Sequence, residues 1–160
     1  MTEATRTTLT PWIDWPRWAS LGLAVVGIVD SLYLTWIKLA RTQALCTGVG
    51  DCEAVNNSVY SEINGMPIAV LGLGMYLAII LLLVFEDRVG IVEIYGPQAV
   101  FGLALTGALY SAYLTYLELF VIHAVCPYCV VSAVVVTGIF ILSSIRLRSA
   151  PPAEGTSPTD

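Results

Sequence analysis

Four long apolar segments constrain this chain more than any other feature of its sequence. They cover residues 18–40, 66–85, 99–122 and 127–145. Each is long enough to cross a hydrocarbon core of about 30 Å as a helix. Only 12% of the chain is charged, whereas a soluble domain is usually about a quarter charged. Because a backbone in lipid must satisfy its own hydrogen bonds, such continuous runs predict helices rather than the alternating strands of a barrel.

The segments predict an all-α membrane protein, a bundle of four transmembrane helices. The predicted organisation is a polar segment 1–16, a membrane domain 17–146 with an external loop 41–65 between helices 1 and 2, and a disordered tail 147–160. The first apolar segment is too long for a cleaved leader and is expected to remain as a span. Close helix packing is expected at the glycines of the spans. These are Gly22, Gly27, Gly72, Gly74, Gly102 and Gly107.

The distribution of basic residues predicts the orientation. With four spans, both termini and the turn after helix 2 share one side. That side carries Arg6, Arg17, Arg88, Arg146 and Arg148, and the other carries Lys38 and Arg41. Since Lys and Arg accumulate on the cytoplasmic side, the termini are predicted to be cytoplasmic in an inner (plasma) membrane. The sequence shows no strongly basic face, so the expected surroundings are the lipid bilayer and not nucleic acid.

The four cysteines are Cys46, Cys52, Cys126 and Cys129, and the span count puts all of them on the external side. That compartment is oxidising in bacteria, so disulfides persist there. Four cysteines allow three pairings. The local pairs, Cys46–Cys52 and Cys126–Cys129, have the lowest cost in loop-closure entropy.

Cys126-Pro127-Tyr128-Cys129 stands at the start of the last apolar segment. A C-x-x-C pair is typical of a redox or metal site. Pro127 suits the first position of a helix, which puts Cys126 near the N-cap, where amides and the helix dipole stabilise a thiolate. Cys126 is then expected to face the aqueous side and Cys129 the membrane interior.

Three interpretations of the cysteines compete. A structural disulfide is disfavoured because the small C-x-x-C ring is strained and labile. A zinc site is disfavoured because the C-x₅-C spacing of the loop pair exceeds the usual spacing, so no metal is expected. Dithiol redox chemistry is favoured, since exchange could carry electrons from the loop pair to Cys126. A lipid-soluble acceptor of two electrons, such as a quinone, would complete this relay.

An internal repeat relates helices 1 and 3. Residues 30–46 (DSLYLTWIKLARTQALC) align without gaps to residues 110–126 (YSAYLTYLELFVIHAVC), and both segments end on a cysteine. The repeat indicates either duplication or shared packing of the two helices.

Two acidic residues fall within the predicted spans. Asp30 lies in the middle of helix 1, where a carboxylate costs about 2.5–3.5 kcal/mol on insertion scales. It is predicted either to relay protons for quinone reduction or to be a protonated acid bonded to a neighbouring helix. Glu118 could join such a relay or snorkel to the outer interface. His123, if charged, would favour the Cys126 thiolate, and an interfacial histidine without a role is the alternative.

Several motifs occur together and in order. They are the C-x₅-C loop, Cys52-Glu-Ala-Val-Asn-Asn-Ser58, Gly65-Met-Pro67, and Tyr113-Leu-Thr-Tyr116 leading to Cys126-Pro-Tyr-Cys129. In this combination the chain resembles the vitamin K epoxide reductase family, in its bacterial disulfide-forming branch. The resemblance covers about residues 17–146.

The resemblance implies a four-helix bundle that encloses a quinone (ubiquinone, menaquinone or similar) near the outer face. Cys129 resembles the sulfur nearest the quinone, and Cys126 resembles the sulfur that the loop attacks. Cys52 resembles the transient partner of Cys126, and Cys46 the sulfur that exchanges with a thioredoxin-like protein. Ser58 matches a family serine that helps to orient the pair and the quinone.

Two departures refine this expectation. Some bacterial members carry a fused thioredoxin-like domain after the fourth helix, whereas this chain ends in a short tail, so the partner is expected to be a separate protein. Animal members have a tyrosine in the quinone pocket four residues after the second C-x-x-C cysteine, where this chain has Ala133. A plain quinone is therefore the expected substrate, rather than vitamin K epoxide.

The sequence thus predicts a membrane thiol–disulfide oxidoreductase that generates disulfides for exported proteins. Electrons would pass from the thioredoxin-like partner through Cys46/Cys52 and Cys126/Cys129 to the quinone. An unrelated bacterial quinone reductase carries its C-x-x-C in the first external loop, and the reversed order here argues against it. The alternative from another class is a membrane transporter or scaffold with structural cysteines, although a transporter should have a more polar path than Asp30 alone provides.

Overall fold

The computed structural model describes residues 15–40, 54–55, 58–63 and 65–149. Its long elements are α1 (Trp15–Ala40), α2 (Ile68–Phe85), α3 (Gly90–Leu117) and α4 (Pro127–Ser149). A π-helical turn, Glu118–Ile122, continues α3, and a short antiparallel hairpin of β1 (Glu62–Ile63) and β2 (Met66–Pro67) precedes α2. All four helices are long and apolar enough to cross a membrane. The predicted all-α, four-helix membrane fold is confirmed.

The largest difference from the predicted spans is at the start of α3. The sequence predicts a loop over residues 86–97, yet α3 begins at Gly90 and includes Pro97. Pro97 is the eighth residue of α3 and has no N–H to donate to the carbonyl of Glu93, yet the helix continues through it. Glu93 in the first turn favours the helix start because a negative charge complements the N-terminal dipole.

The last helix also extends further than its predicted span. α4 begins at Pro127 as predicted but continues to Ser149, three residues into the predicted tail of 147–160. Arg146 and Arg148 lie in its last turn. Cations there interact favourably with the C-terminal dipole, so the charges that end the apolar run do not end the helix.

The four helices surround a common interior. α1 and α3 each pack mainly against α2 and α4, so they stand at opposite corners of the bundle. We call the end at which α1 begins and α4 finishes the terminal end, and the end that carries Cys126 the cysteine end. A buried apolar cluster fills the terminal half. Its members are Ala24, Tyr76, Ile79, Leu83, Val100, Ala104, Val135 and Ile139.

Tyr76 packs directly against the backbone of α1. A Cβ added at Gly27 would lie 2.6 Å from the Tyr76 ring, so only glycine permits this approach. The Tyr76 hydroxyl donates to the carbonyl oxygen of Ser132 on α4 at 3.2 Å.

The other glycines of the spans differ in how closely they are packed. A Cβ added at Gly107 would also lie too close to its neighbours, but Cβ atoms added at Gly22, Gly74 and Gly102 would meet nothing within 4 Å. The predicted close packing is therefore wrong for those three glycines.

Ion pairs join the helices at the terminal end. Arg17 of α1 contacts Asp87 (Nη1 to Oδ2, 2.6 Å) and donates from Nε to the Leu83 carbonyl at 3.1 Å. Arg146 of α4 contacts Glu86 (Nη2 to Oε1, 2.7 Å). These bonds connect the end of α2 and the turn after it to α1 and to α4.

Candidate active site

A cavity of about 380 Å³ occupies the half of the bundle nearer the cysteine end. Its volume is in the range of small-molecule binding sites. All four helices contribute to its wall, together with Val55, Ser58 and Ser61 of the segment before α2. Cys126 and Cys129 both lie in this wall.

The first turn of α4 surrounds the sulfur of Cys126. The Cys126 carbonyl accepts the N–H of Val130 at 3.1 Å, so Cys126 occupies the predicted N-cap. Its sulfur accepts hydrogen bonds from the Cys129 thiol and from the backbone N–H groups of Cys129 and Tyr128. The thiol bond, aided by these amides, lowers the pKa of Cys126 despite the opposing effects of burial and of the Glu118 carboxylate.

Cys126 is the more deeply buried cysteine of the C-x-x-C pair. It is 1% exposed, whereas Cys129 is partly exposed. The expectation that Cys126 faces the aqueous side is therefore wrong. The physical reason is that the segment before α4 is bonded back onto the end of α3, which covers Cys126.

Glu118 makes the bond that holds this segment. Its side chain is 3% exposed, and its Oε2 accepts the backbone N–H of Cys126 at 3.2 Å. The same carboxylate is within hydrogen-bonding reach of the Cys129 thiol. Glu118 also lines the cavity. It does not snorkel, because the π-helical turn and the reversal after it bring Cys126 over its side chain.

His123 forms the reversal itself. Its backbone is left-handed (φ 57°, ψ 30°), and its N–H bonds the Glu118 carbonyl. The N–H of Ala124 bonds the same carbonyl at 3.1 Å. The His123 side chain is exposed, so the structure gives this residue a conformational role in the turn.

A chain of hydrogen bonds from α1 holds Ser58 at the cavity. Lys38 donates from Nζ to Ser61 Oγ at 3.0 Å and pairs with Glu62 at 3.1 Å. Ser61 Oγ donates to the Ser58 carbonyl at 2.8 Å, and Ser58 Oγ donates to the Val55 carbonyl at 2.8 Å. Ser58 therefore lines the cavity, and its hydroxyl proton is donated to the Val55 carbonyl of the same turn rather than into the cavity.

Corresponding residues of the sequence repeat line the cavity from α1 and from α3. Asp30, Ser31 and Leu34 of α1 line it, and so do the equivalent residues of α3, Tyr110, Ser111 and Leu114. Because α1 and α3 stand at opposite corners, the repeat supplies matching residues from two sides. The repeat can be seen in the sequence, but the sequence does not indicate that its residues line a cavity.

One face of α4 forms a further part of the wall, in addition to the residues that α2 contributes. Cys129, Ser132 and Val136 line the cavity, and their spacing of three and four residues follows the helical period. Ala133 lies outside this face and is not among the lining residues. The loop cysteines, Cys46 and Cys52, lie outside the described residues.

The fold and the site define a class of membrane protein in which two cysteines of a C-x-x-C pair line the cavity of a four-helix bundle, and comparison with known proteins identifies the family. The sequence profile of the vitamin K epoxide reductase family matches residues 18–144. Thiol-disulfide oxidoreductase LTO1 of Arabidopsis thaliana is 35% identical over 122 residues, which cover 72% of this chain and 32% of that protein.

This chain belongs to the vitamin K epoxide reductase family. The resemblance seen in the motifs is thus confirmed at the level of the family, while the bacterial branch stays a prediction. The chain spans about a third of the length of the plant protein.

Proposed function

We propose that this protein oxidises thiols at the expense of a quinone and so forms disulfides in exported proteins. In the proposed reaction, Cys126 and Cys129 lose two electrons and two protons as a bond forms between their sulfurs. The quinone, a second substrate, takes up both electrons and both protons. The new disulfide then oxidises Cys46 and Cys52 to a disulfide, which in turn oxidises a thioredoxin-like protein.

The position of both cysteines in the wall of one cavity carries this proposal. The surface of the cavity is mostly apolar, although hydroxyl and carboxyl side chains are present among the residues of its wall. A quinone ring is apolar with two carbonyl acceptors, so this lining suits it. The apolar cluster in the terminal half argues against a transporter, which needs a polar path through the whole bundle.

The geometry of α4 supports different roles for its two cysteines. The lowered pKa of Cys126 favours the thiolate, which makes its sulfur a better leaving group in exchange with the loop. Cys129 contacts both Cys126 and the Glu118 carboxylate, so its proton has an acceptor at hand. We assign Cys129 to the quinone side and Glu118 to proton transfer there.

The roles of the loop residues follow from the family resemblance. Cys52 would form the mixed disulfide with Cys126, and Cys46 would exchange with the partner. A role for Ser58 in orienting the quinone is supported by its place in the cavity wall, and Ala133 lacks that support. The proposed setting is a plasma membrane, with the termini cytoplasmic and the cysteine end outside.

Quinone reduction by purified protein tests the proposal. The full chain would be supplied with a short-tailed ubiquinone or with menadione, and with either a reduced thioredoxin-like protein or dithiothreitol. Cys126→Ala and Cys129→Ala should abolish quinone reduction with either reductant. Val134→Ala, a substitution of an exposed side chain on the same helix, should leave it unchanged. Persistent reduction in both cysteine variants would refute the relay.

A further inference from the structure

We propose that Asp30 is a protonated acid that donates a hydrogen bond to a carbonyl oxygen of the quinone. This inference rests on the proposed function, which supplies the quinone. Asp30 would then be a residue that binds the substrate. It would favour ligands that place a carbonyl acceptor between α1 and α3.

The location of Asp30 is the first support. Asp30 lies in the middle of α1 and lines the cavity, and only 8% of the residue is exposed. Its equivalent in the repeat, Tyr110, lines the same cavity from α3. A ring bound between these two helices would therefore meet a carboxyl group on one side.

The second support is an unsatisfied oxygen. Among the residues that the structure describes, two buried side-chain oxygens lack a hydrogen-bond partner, Asp30 Oδ2 and Thr35 Oγ1. Of these two residues, Asp30 alone lines the cavity. A buried polar group without a partner is costly, and a bound ligand that reorients this carboxyl group can relieve the cost.

Many other polar groups of the wall already have partners within the protein. Several hydroxyls donate to backbone carbonyls at 2.8–3.2 Å. These hydroxyls belong to Ser58, Ser61, Tyr76, Thr106 and Thr115. Asp30 is thus distinguished from them by having capacity left for a ligand.

The charge of the cavity determines which form of Asp30 is favoured. No Lys or Arg occurs among the described residues of the wall. Among the described residues, Tyr76 of α2 and Tyr128 of α4 are titratable groups that interact with Asp30, and the wall also holds Glu118, Cys126 and Cys129. None of these compensates a negative charge. An unpaired carboxylate in apolar surroundings is far more costly than the neutral acid, so Asp30 has a proton to donate.

Direct binding of quinone to the full chain tests this inference. The dissociation constant for a short-tailed ubiquinone would be measured by quenching of tryptophan fluorescence in wild type, Asp30→Asn and Asp30→Leu. Asn retains an N–H donor and should bind within about threefold of wild type. Leu removes the donor and should bind roughly tenfold more weakly, the effect of one buried hydrogen bond.

Thr35→Val is the matched control, because it removes the other unpartnered oxygen of α1 without changing the cavity wall. Its quinone affinity should equal that of wild type. Infrared spectroscopy gives a readout independent of affinity, since a protonated carboxyl band that shifts on addition of quinone should disappear in Asp30→Asn. Leucine is apolar and suits a membrane span, so Asp30→Leu should stay folded, which thermal unfolding would verify.

The outcomes separate this inference from the proposed function. If wild type binds quinone and Asp30→Leu binds it equally well, the role of Asp30 is refuted while quinone dependence stands. Equal weakening in Asp30→Asn and Asp30→Leu would also refute it, because the amide keeps the donor. If wild type binds no quinone, the proposed function fails and this inference fails with it.

Discussion

Glu118 and Cys126, eight residues apart in sequence, are joined by a hydrogen bond of 3.2 Å from the Cys126 backbone N–H to the Glu118 carboxylate. The bond closes the segment between α3 and α4 and buries a negative charge beside the cysteine pair. It therefore has two effects that substitutions can separate. The carboxylate holds the backbone of Cys126 in place, and its charge opposes ionisation of the thiol.

Replacing Glu118 with Gln should lower the pKa of Cys126 further. The amide oxygen can still accept the Cys126 N–H, but the charge that raises this pKa is removed. A thiolate is present above its pKa and lost as the pH falls through it, so alkylation of Cys126 should persist to lower pH than in wild type. Mass spectrometry of iodoacetamide-treated protein across a pH series measures this rate. Glu118→Leu, which also removes the acceptor, should destabilise the fold by about 1–3 kcal/mol.

Cys129 should control the pKa of Cys126 through its thiol proton. Serine at position 129 keeps a donor, so the pKa of Cys126 should stay lowered in Cys129→Ser. Alanine removes the donor while burial and the Glu118 charge still act, so the pKa should rise in Cys129→Ala. Alkylation of Cys126 at neutral pH should then be slower in Cys129→Ala than in Cys129→Ser. Equal rates in the two variants would mean that the helix amides alone stabilise the thiolate.

The outline of this site could be predicted from sequence, because apolar length, helix capping and cysteine spacing are local properties. They predicted four helices and the N-cap position of Cys126. The burial of Cys126 and Glu118 could not be predicted in this way. It depends on a left-handed residue at position 123 and on a π-helical turn, neither of which has a distinct pattern in a single sequence.

The cavity, too, depends on tertiary structure that the local sequence does not show. The repeat containing Asp30 and Tyr110 was visible in the sequence, but its meaning depends on α1 and α3 standing at opposite corners. Glycine roles were also beyond sequence reasoning. A Cβ added at Gly27 would overlap a ring and one added at Gly22 would meet nothing within 4 Å, although both residues lie in the same apolar helix.

Alanine at position 27 should destabilise the bundle, whereas alanine at position 22 should not. The added methyl group at Gly27 would overlap the Tyr76 ring at 2.6 Å, and this ring is buried and bonded to α4. Overpacking of this kind typically costs 1–3 kcal/mol. The free energy of unfolding in detergent, measured for Gly27→Ala and Gly22→Ala, makes a matched comparison. Equal stability of the two variants would show that α1 and α2 can separate without penalty.

Glycine at position 123 should preserve the site, and valine should damage it. His123 adopts φ 57° and ψ 30°, a conformation that costs most non-glycine residues roughly 1–2 kcal/mol. His123→Gly should therefore be as stable as wild type or more stable, with unchanged Cys126 alkylation, because the exposed imidazole serves the turn only. His123→Val should be less stable, since a β-branched residue disfavours this conformation. If His123→Gly instead slows alkylation of Cys126 near neutral pH without loss of stability, the imidazole charge favours the thiolate and the conformational role is insufficient.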